Sequence, residues 1–177
     1  MMLAVSRLAS TEDYKRIDLV IKAMPAILHH VPDAFFVVVG HGGDRSRLEK
    51  LAQETSVADR VVFTGFVADE LLPSYYGACD LFALPSLKEG FGIVFLEAMY
   101  HAKACIGAIA GGIPEVIKDG GTGLLAKPDS VDSFVQCVVR LLGNGQERDA
   151  MGRRGKETLE REFSYEKFRA RLERVLC

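Results

Sequence analysis

Two carboxylates stand eight positions apart in Glu89-Gly90-Phe91-Gly92-Ile93-Val94-Phe95-Leu96-Glu97. The segment follows Pro85-Ser86-Leu87-Lys88 and runs from a glycine-bearing loop into a predicted helix. Glycines let a backbone approach a ligand closely. A helix starting there offers unpaired N–H groups and the positive end of its dipole to an anion. Glu97 lies in the otherwise apolar run Ile93–Met99, where a carboxylate is costly to bury without donors. Sugar or ribose hydroxyls would be suitable donors. The alternatives are a solvated edge for Glu97 and a plain pre-helix position for Glu89.

Cations come next. Ser6-Arg7-Leu8 and Lys15-Arg16 lie in the loop after the first apolar run. By themselves they read as solvated loop cations, with Arg16 next to Lys15. Gly40-His41-Gly42-Gly43 looks at first like a dinucleotide loop. Arg45 stands where the third glycine belongs, and position 60 is Arg60 where an acidic residue is expected. That loop is read as a tight turn. Asp69 either lies near a ligand or caps a helix from Glu70. His29-His30 ends a helix, where imidazolium suits the dipole, and is assigned no chemistry.

These residues need positioning elements. Short apolar runs predict strands at Met2–Val5, Ala34–Val39, Val61–Phe63, Leu81–Leu84, Ala104–Gly107 and Gly123–Leu125. Helical spacing predicts helices at Asp18–Leu28, from Asp44 to Glu54, Glu70–Ala78, Ile93–His101, Val131–Leu142, Arg148–Glu162 and Tyr165–Leu176, with one turn at Pro114–Lys118. Strands that do not alternate, interleaved with helices, mean a parallel sheet of about six strands wrapped on both faces, an α/β Rossmann-like fold. Ligands of such sheets bind beyond the carboxyl ends of the strands. The candidate residues fall in those loops.

Composition excludes several classes. The chain has 177 residues, 49% hydrophobic and 26% charged, with a net charge of −2. That is one ordinary globular domain over 1–177. No basic excess points to nucleic acid. The longest apolar stretches, Ala34–Gly40 and Ile93–Leu96, fall far short of the roughly 20 residues of a membrane span. Cys79, Cys105, Cys137 and Cys177 form no CxxC pair, so free thiols in a reducing compartment and no metal site are expected. No signal peptide is evident.

The Glu89–Met99 segment resembles the EX7E signature of retaining GT-B glycosyltransferases, the group 1 (GT4) family. Ala78–Ser86 resembles the family's "ADLFVLPS" segment, and Val62–Val67 its "VxFxGxV". Gly111–Ile117 and Asp119–Leu125 resemble the loop and strand near the end of the donor domain. With the Arg7 and Lys15 loop, six segments fall in family order over nearly the whole chain. Two departures stand out. Tyr100–Cys105 lacks the usual Gly and Pro, and Ser6 replaces a common Gly before Arg7.

The resemblance implies the C-terminal, donor-binding half of a GT-B enzyme, with the N-terminal acceptor domain absent from this chain. Such a piece is either excised or a truncated gene product, inactive in transfer by itself. The implied activity is retaining transfer of a sugar from a nucleoside diphosphate sugar to an unknown acceptor, with no metal or other cofactor. Arg7 and Lys15 would hold the diphosphate with the N–H groups of Phe91, Gly92, Ile93 and Val94. Glu89 would be the catalytic-site carboxylate on the sugar hydroxyls, Glu97 would hold the ribose, and Phe66 and Val67 would meet the base. Gly111-Gly112 would lie near the donor sugar. The implied partners are the nucleotide sugar and the acceptor domain. The implied location is cytoplasmic, with any membrane contact peripheral, on the inner face, through Tyr165–Leu176. Two rival readings keep the fold and change the function: a non-catalytic nucleotide-sugar binding module, and a GT-B sugar-nucleotide epimerase, a group lacking this EX7E arrangement.

Overall fold

Helices cover both faces of the sheet, which is why its inner strands are apolar at every position. The computed structural model describes residues 1–163 together with 167, 169 and 173. Six strands, β1 (Met2–Val5), β2 (Phe36–Val39), β3 (Val61–Gly65), β4 (Leu81–Ala83), β5 (Ala104–Ala108) and β6 (Gly123–Ala126), form one sheet. Its order is β3-β2-β1-β4-β5-β6, and every pairing is parallel. The expected Rossmann-like α/β architecture is therefore present. Every residue of β2, β4 and β5 is buried. The edge strand β3 is buried only at Val61, because one side of it has no neighbour.

The helices are α1 (Ile17–His30), α2 (Arg45–Glu54), α3 (Leu72–Ala78), α4 (Ile93–Tyr100), the short α5 (Ile113–Val116), α6 (Val131–Gly143) and α7 (Gly145–Glu162). The chain moves outward one way from β1 through β2 to β3, and the other way from β4 through β5 to β6. Right-handed crossovers then put the intervening helices of the two halves on opposite faces. Accordingly α1 packs on α2 and α6, while α4 packs on α7 and β5. The order reverses between β1 and β4, and a crevice opens there at the strands' carboxyl ends.

Several boundaries differ from the sequence expectation, each for a local reason. Asp44 occupies the N-cap position of α2, yet its carboxylate accepts from Arg47 at 2.6 Å instead of from a backbone amide. The helix expected from Glu70 starts at Leu72, with Pro73 in its first turn, so Asp69 caps nothing. The helix expected from Arg148 starts at Gly145, because Asn144 Oδ1 accepts from the Glu147 amide at 3.1 Å. Cys79 and Cys105 are buried free thiols, and Cys137 is half-buried. Burial pushes the Cys79 thiol up to about 11. The helix expected at Tyr165–Leu176 lies, but for three positions, outside the described residues.

Candidate functional site

The carboxyl ends of β1, β2 and β3 border a cleft of about 380 Å³. Arg7, Lys15, Phe66, Val67 and Val94, five of the expected binding residues, line it together with Glu12. A second cleft, of about 520 Å³, shares Asp69 and Leu72 with the first and contains Glu97, Tyr76 and His101. The loops after β1, β2 and β3 and the helices α3 and α4 thus converge on one crevice.

Both cations are paired with carboxylates. Lys15 Nζ donates to Glu89 Oε1 at 2.6 Å, and the two side chains are 18% and 11% exposed. This pair joins the loop after β1 to the loop after β4. Backbone reinforces the junction, since Leu87 N donates to Tyr14 O at 2.8 Å and the buried Ser86 hydroxyl to the same oxygen at 3.2 Å. Arg7 is 78% exposed and pairs with Glu12. Arg16 turns away from the 380 Å³ cleft towards Asp129 at 2.7 Å and Asp18 at 3.6 Å. Of the two neighbouring cations, Lys15 is therefore the one at the crevice.

Helix α4 begins at Gly92, which caps it with φ of +78°. Only there does the chain turn sharply enough to aim the first turn, because residues with a Cβ avoid this region. Phe95 N donates to Gly92 O at 2.9 Å. The earlier amides of the helix have no intrahelical partner. Phe91 and Ile93 expose their side chains, at 44% and 65%. Among Phe91, Gly92, Ile93 and Val94, only Val94 lines the 380 Å³ cleft. Phe91, Gly92 and Ile93 have only backbone to offer an anion. The Gly111-Gly112 loop lies against Glu89: Gly112 N donates to Glu89 O at 2.8 Å, and a Cβ on Gly112 would stand 2.4 Å from Gly90 O.

Glu97 has a partner that the sequence did not reveal. Tyr76, 2% exposed on α3, donates its phenol to Glu97 Oε2 at 2.7 Å. A buried phenol requires an acceptor. Burial, with the bond to Glu97, pushes the Tyr76 phenol far up, so it stays protonated and donating. His101 stacks on Tyr76 with ring centroids 5.6 Å apart. Burial, then Lys103 and Lys156, lower its pKa, while Glu97 acts the other way.

Phe66 is 72% exposed, with its ring edge-on to His41 at 5.8 Å. Glu12 and Tyr76 are site-lining residues that the sequence reading did not single out, whereas His41 lies in the Gly40–Gly43 loop already noted there. The one available signal was Tyr76, a polar tip on the inward face of a helix. Among the described residues, no three His, Cys, Asp or Glu side chains gather as a metal site would need. Among them also, no helix is long and apolar enough to cross a membrane.

Comparison with known proteins covers most of the chain. The family model "Glycosyl transferases group 1" matches residues 1–158. A GDP-mannose-dependent alpha-(1-6)-phosphatidylinositol monomannoside mannosyltransferase of Mycobacterium tuberculosis is 36% identical over 162 residues. That match covers 88% of this chain and 42% of the mannosyltransferase. The N-acetyl-alpha-D-glucosaminyl L-malate synthase of Bacillus anthracis is 34% identical, over 91% of this chain and 42% of the synthase. The chain thus spans less than half the length of these relatives. Among solved structures, the C-terminal domain of the group 1 glycosyl transferase LpcC from Francisella tularensis superposes with a TM-score of 0.81 at 28% identity, over 93% of this chain and 86% of that one. Anabaena HepE in complex with UDP shares the fold, with a TM-score of 0.88 at 24% identity, over 99% of this chain and 48% of that one.

Proposed function

The chain belongs to the group 1 glycosyl transferase family, and from that membership we propose that it is the donor-binding domain of a retaining glycosyltransferase. It holds a nucleoside diphosphate sugar whose glycosyl group passes to an acceptor bound by a second domain. One observation carries this reading: Arg7, Lys15, Phe66, Val67 and Val94, drawn from three distant segments, line one cleft at the end of a parallel sheet. Arg7 and Lys15, with the first amides of α4, hold the diphosphate and offset the charge that grows on it as it leaves. Glu89 accepts from the sugar hydroxyls, Glu97 from the ribose, and the segment at Phe66 and Val67 meets the base. Two protein cations make a divalent metal unnecessary for binding. The GDP-mannose dependence of the mycobacterial relative makes GDP-mannose a first donor to try, with UDP-glucose beside it.

Calorimetric titration of UDP, GDP and ADP, and of the matching nucleosides, tests the reading. Arg7→Ala should weaken the diphosphates about tenfold or more, the effect of losing a charge-assisted bond of roughly 1.5–3 kcal/mol. Nucleoside binding should hold. Equal losses for both ligand types would give Arg7 a structural role. A magnesium requirement with every nucleotide would overturn the metal-independent scheme.

A further inference from the structure

Both cations of the crevice are matched by carboxylates before any ligand arrives. Arg7 is matched by Glu12 and Lys15 by Glu89. The second pair is the more enclosed, and separating it leaves a carboxylate that is 11% exposed without a counter-ion. Such separation is costly unless new donors replace the lost one. A bare nucleoside diphosphate draws Lys15 towards phosphate and supplies nothing to Glu89. A nucleoside diphosphate that carries a sugar supplies both, because phosphate oxygens take Lys15 and sugar hydroxyls take its place at Glu89.

Building on the donor-site reading above, we propose that the Lys15–Glu89 pair is a specificity device that hands Lys15 from Glu89 to the diphosphate and favours ligands able to satisfy both partners. The intact nucleotide sugar is thereby favoured over its own spent diphosphate. Glu89 becomes free for sugar hydroxyls only once phosphate has claimed Lys15. Product release follows the same path in reverse: when the sugar leaves, Glu89 competes again for Lys15 and loosens the diphosphate.

The experiment is a calorimetric comparison of UDP with UDP-glucose and of GDP with GDP-mannose, on wild type, Glu89→Gln, Lys15→Met and the double variant, each checked by thermal unfolding. Glu89→Gln should bind the bare diphosphate about tenfold more tightly than wild type and lose most of the preference for the sugar-bearing ligand. In the Lys15→Met background the same change should give no tightening, since no cation is left to release. If Glu89→Gln fails to fold, Glu89→Asp, which withdraws the charge by one methylene, should tighten diphosphate binding in the same direction. Unchanged or weaker diphosphate binding by these variants overturns the exchange. So does tightening that persists without Lys15, which would mean simple repulsion between Glu89 and phosphate. If wild type binds none of the four ligands, the donor-site reading itself fails, and the exchange with it.

Discussion

Ala102 closes α4 in the left-handed region, at φ of 53°. It lies in Tyr100–Cys105, the stretch noted in the sequence as departing from the resembled family pattern by lacking a glycine. A residue with a Cβ is disfavoured there by roughly 1–2 kcal/mol. Part of that is offset by the extra freedom a glycine has in the unfolded chain. Ala102→Gly should therefore raise stability by about 1 kcal/mol, or roughly 2–4 °C in melting temperature for a chain of this size. Differential scanning fluorimetry reads it, and a lower melting temperature would show that the alanine is not strained. The candidate side chains differ in legibility. Glu89 and Glu97 were readable because carboxylates flanking glycines and an apolar helix are out of place. Glu12 was not, because nothing in a polar loop marks which acid will turn inward.

At the scale of elements, α4 places several of the proposed binding groups at once. It connects the glycine-bearing loop to Glu97, and its first turn faces the cleft through Val94. The start of the helix depends on Gly92. A Cβ there would meet the Phe95 ring at 2.8 Å, in a backbone conformation that side chains avoid. Phe95 is fully buried and packs edge-on against Phe82 at 5.4 Å, so it cannot move aside cheaply. Gly92→Ala should lower stability by about 1–3 kcal/mol and weaken nucleoside diphosphate binding through a displaced first turn. Guanidinium unfolding and calorimetry together check it. Unimpaired binding would mean that the amides of α4 do not hold the diphosphate. Boundaries set by backbone caps, such as α3 at Leu72 and α7 at Gly145, were the hardest to place from residue types. Several nearby residues compete for the same cap, and tertiary packing selects among them.

At the scale of the molecule, one end of the sheet exposes Phe66, Phe91, Ile93 and Ile109, all in or beside the loops that follow β3, β4 and β5. These loops surround the crevice. In the proposed enzyme a second domain faces them and completes the cleft, since the chain covers only 42% of the mycobacterial mannosyltransferase. The chain as it stands should bind a nucleotide sugar, more weakly than a two-domain enzyme does, and transfer nothing to an acceptor. A radiolabelled-sugar transfer assay beside calorimetry tests this. Robust transfer by the chain alone would show that the acceptor site is already present.

The parallel sheet, its helices and the family were determined by the sequence alone. The physical reason is that both-face burial forces unbroken apolar strands such as Phe36–Val39 and Leu81–Ala83, and that pattern needs no knowledge of neighbours. The loops holding Arg7, Lys15 and Glu89 were legible for a related reason, because ligand sites of such sheets lie at the strand ends. Only the tertiary structure decided the pairings. That Lys15 meets Glu89 at 74 positions' separation, that Arg16 turns to Asp129, and that Tyr76 occupies one oxygen of Glu97 are matters of which loops become neighbours. Strand order β3-β2-β1-β4-β5-β6 sets those neighbours. A charged side chain then chooses the nearest partner that spares it desolvation, a choice made by distance in space that residue types along the chain do not encode.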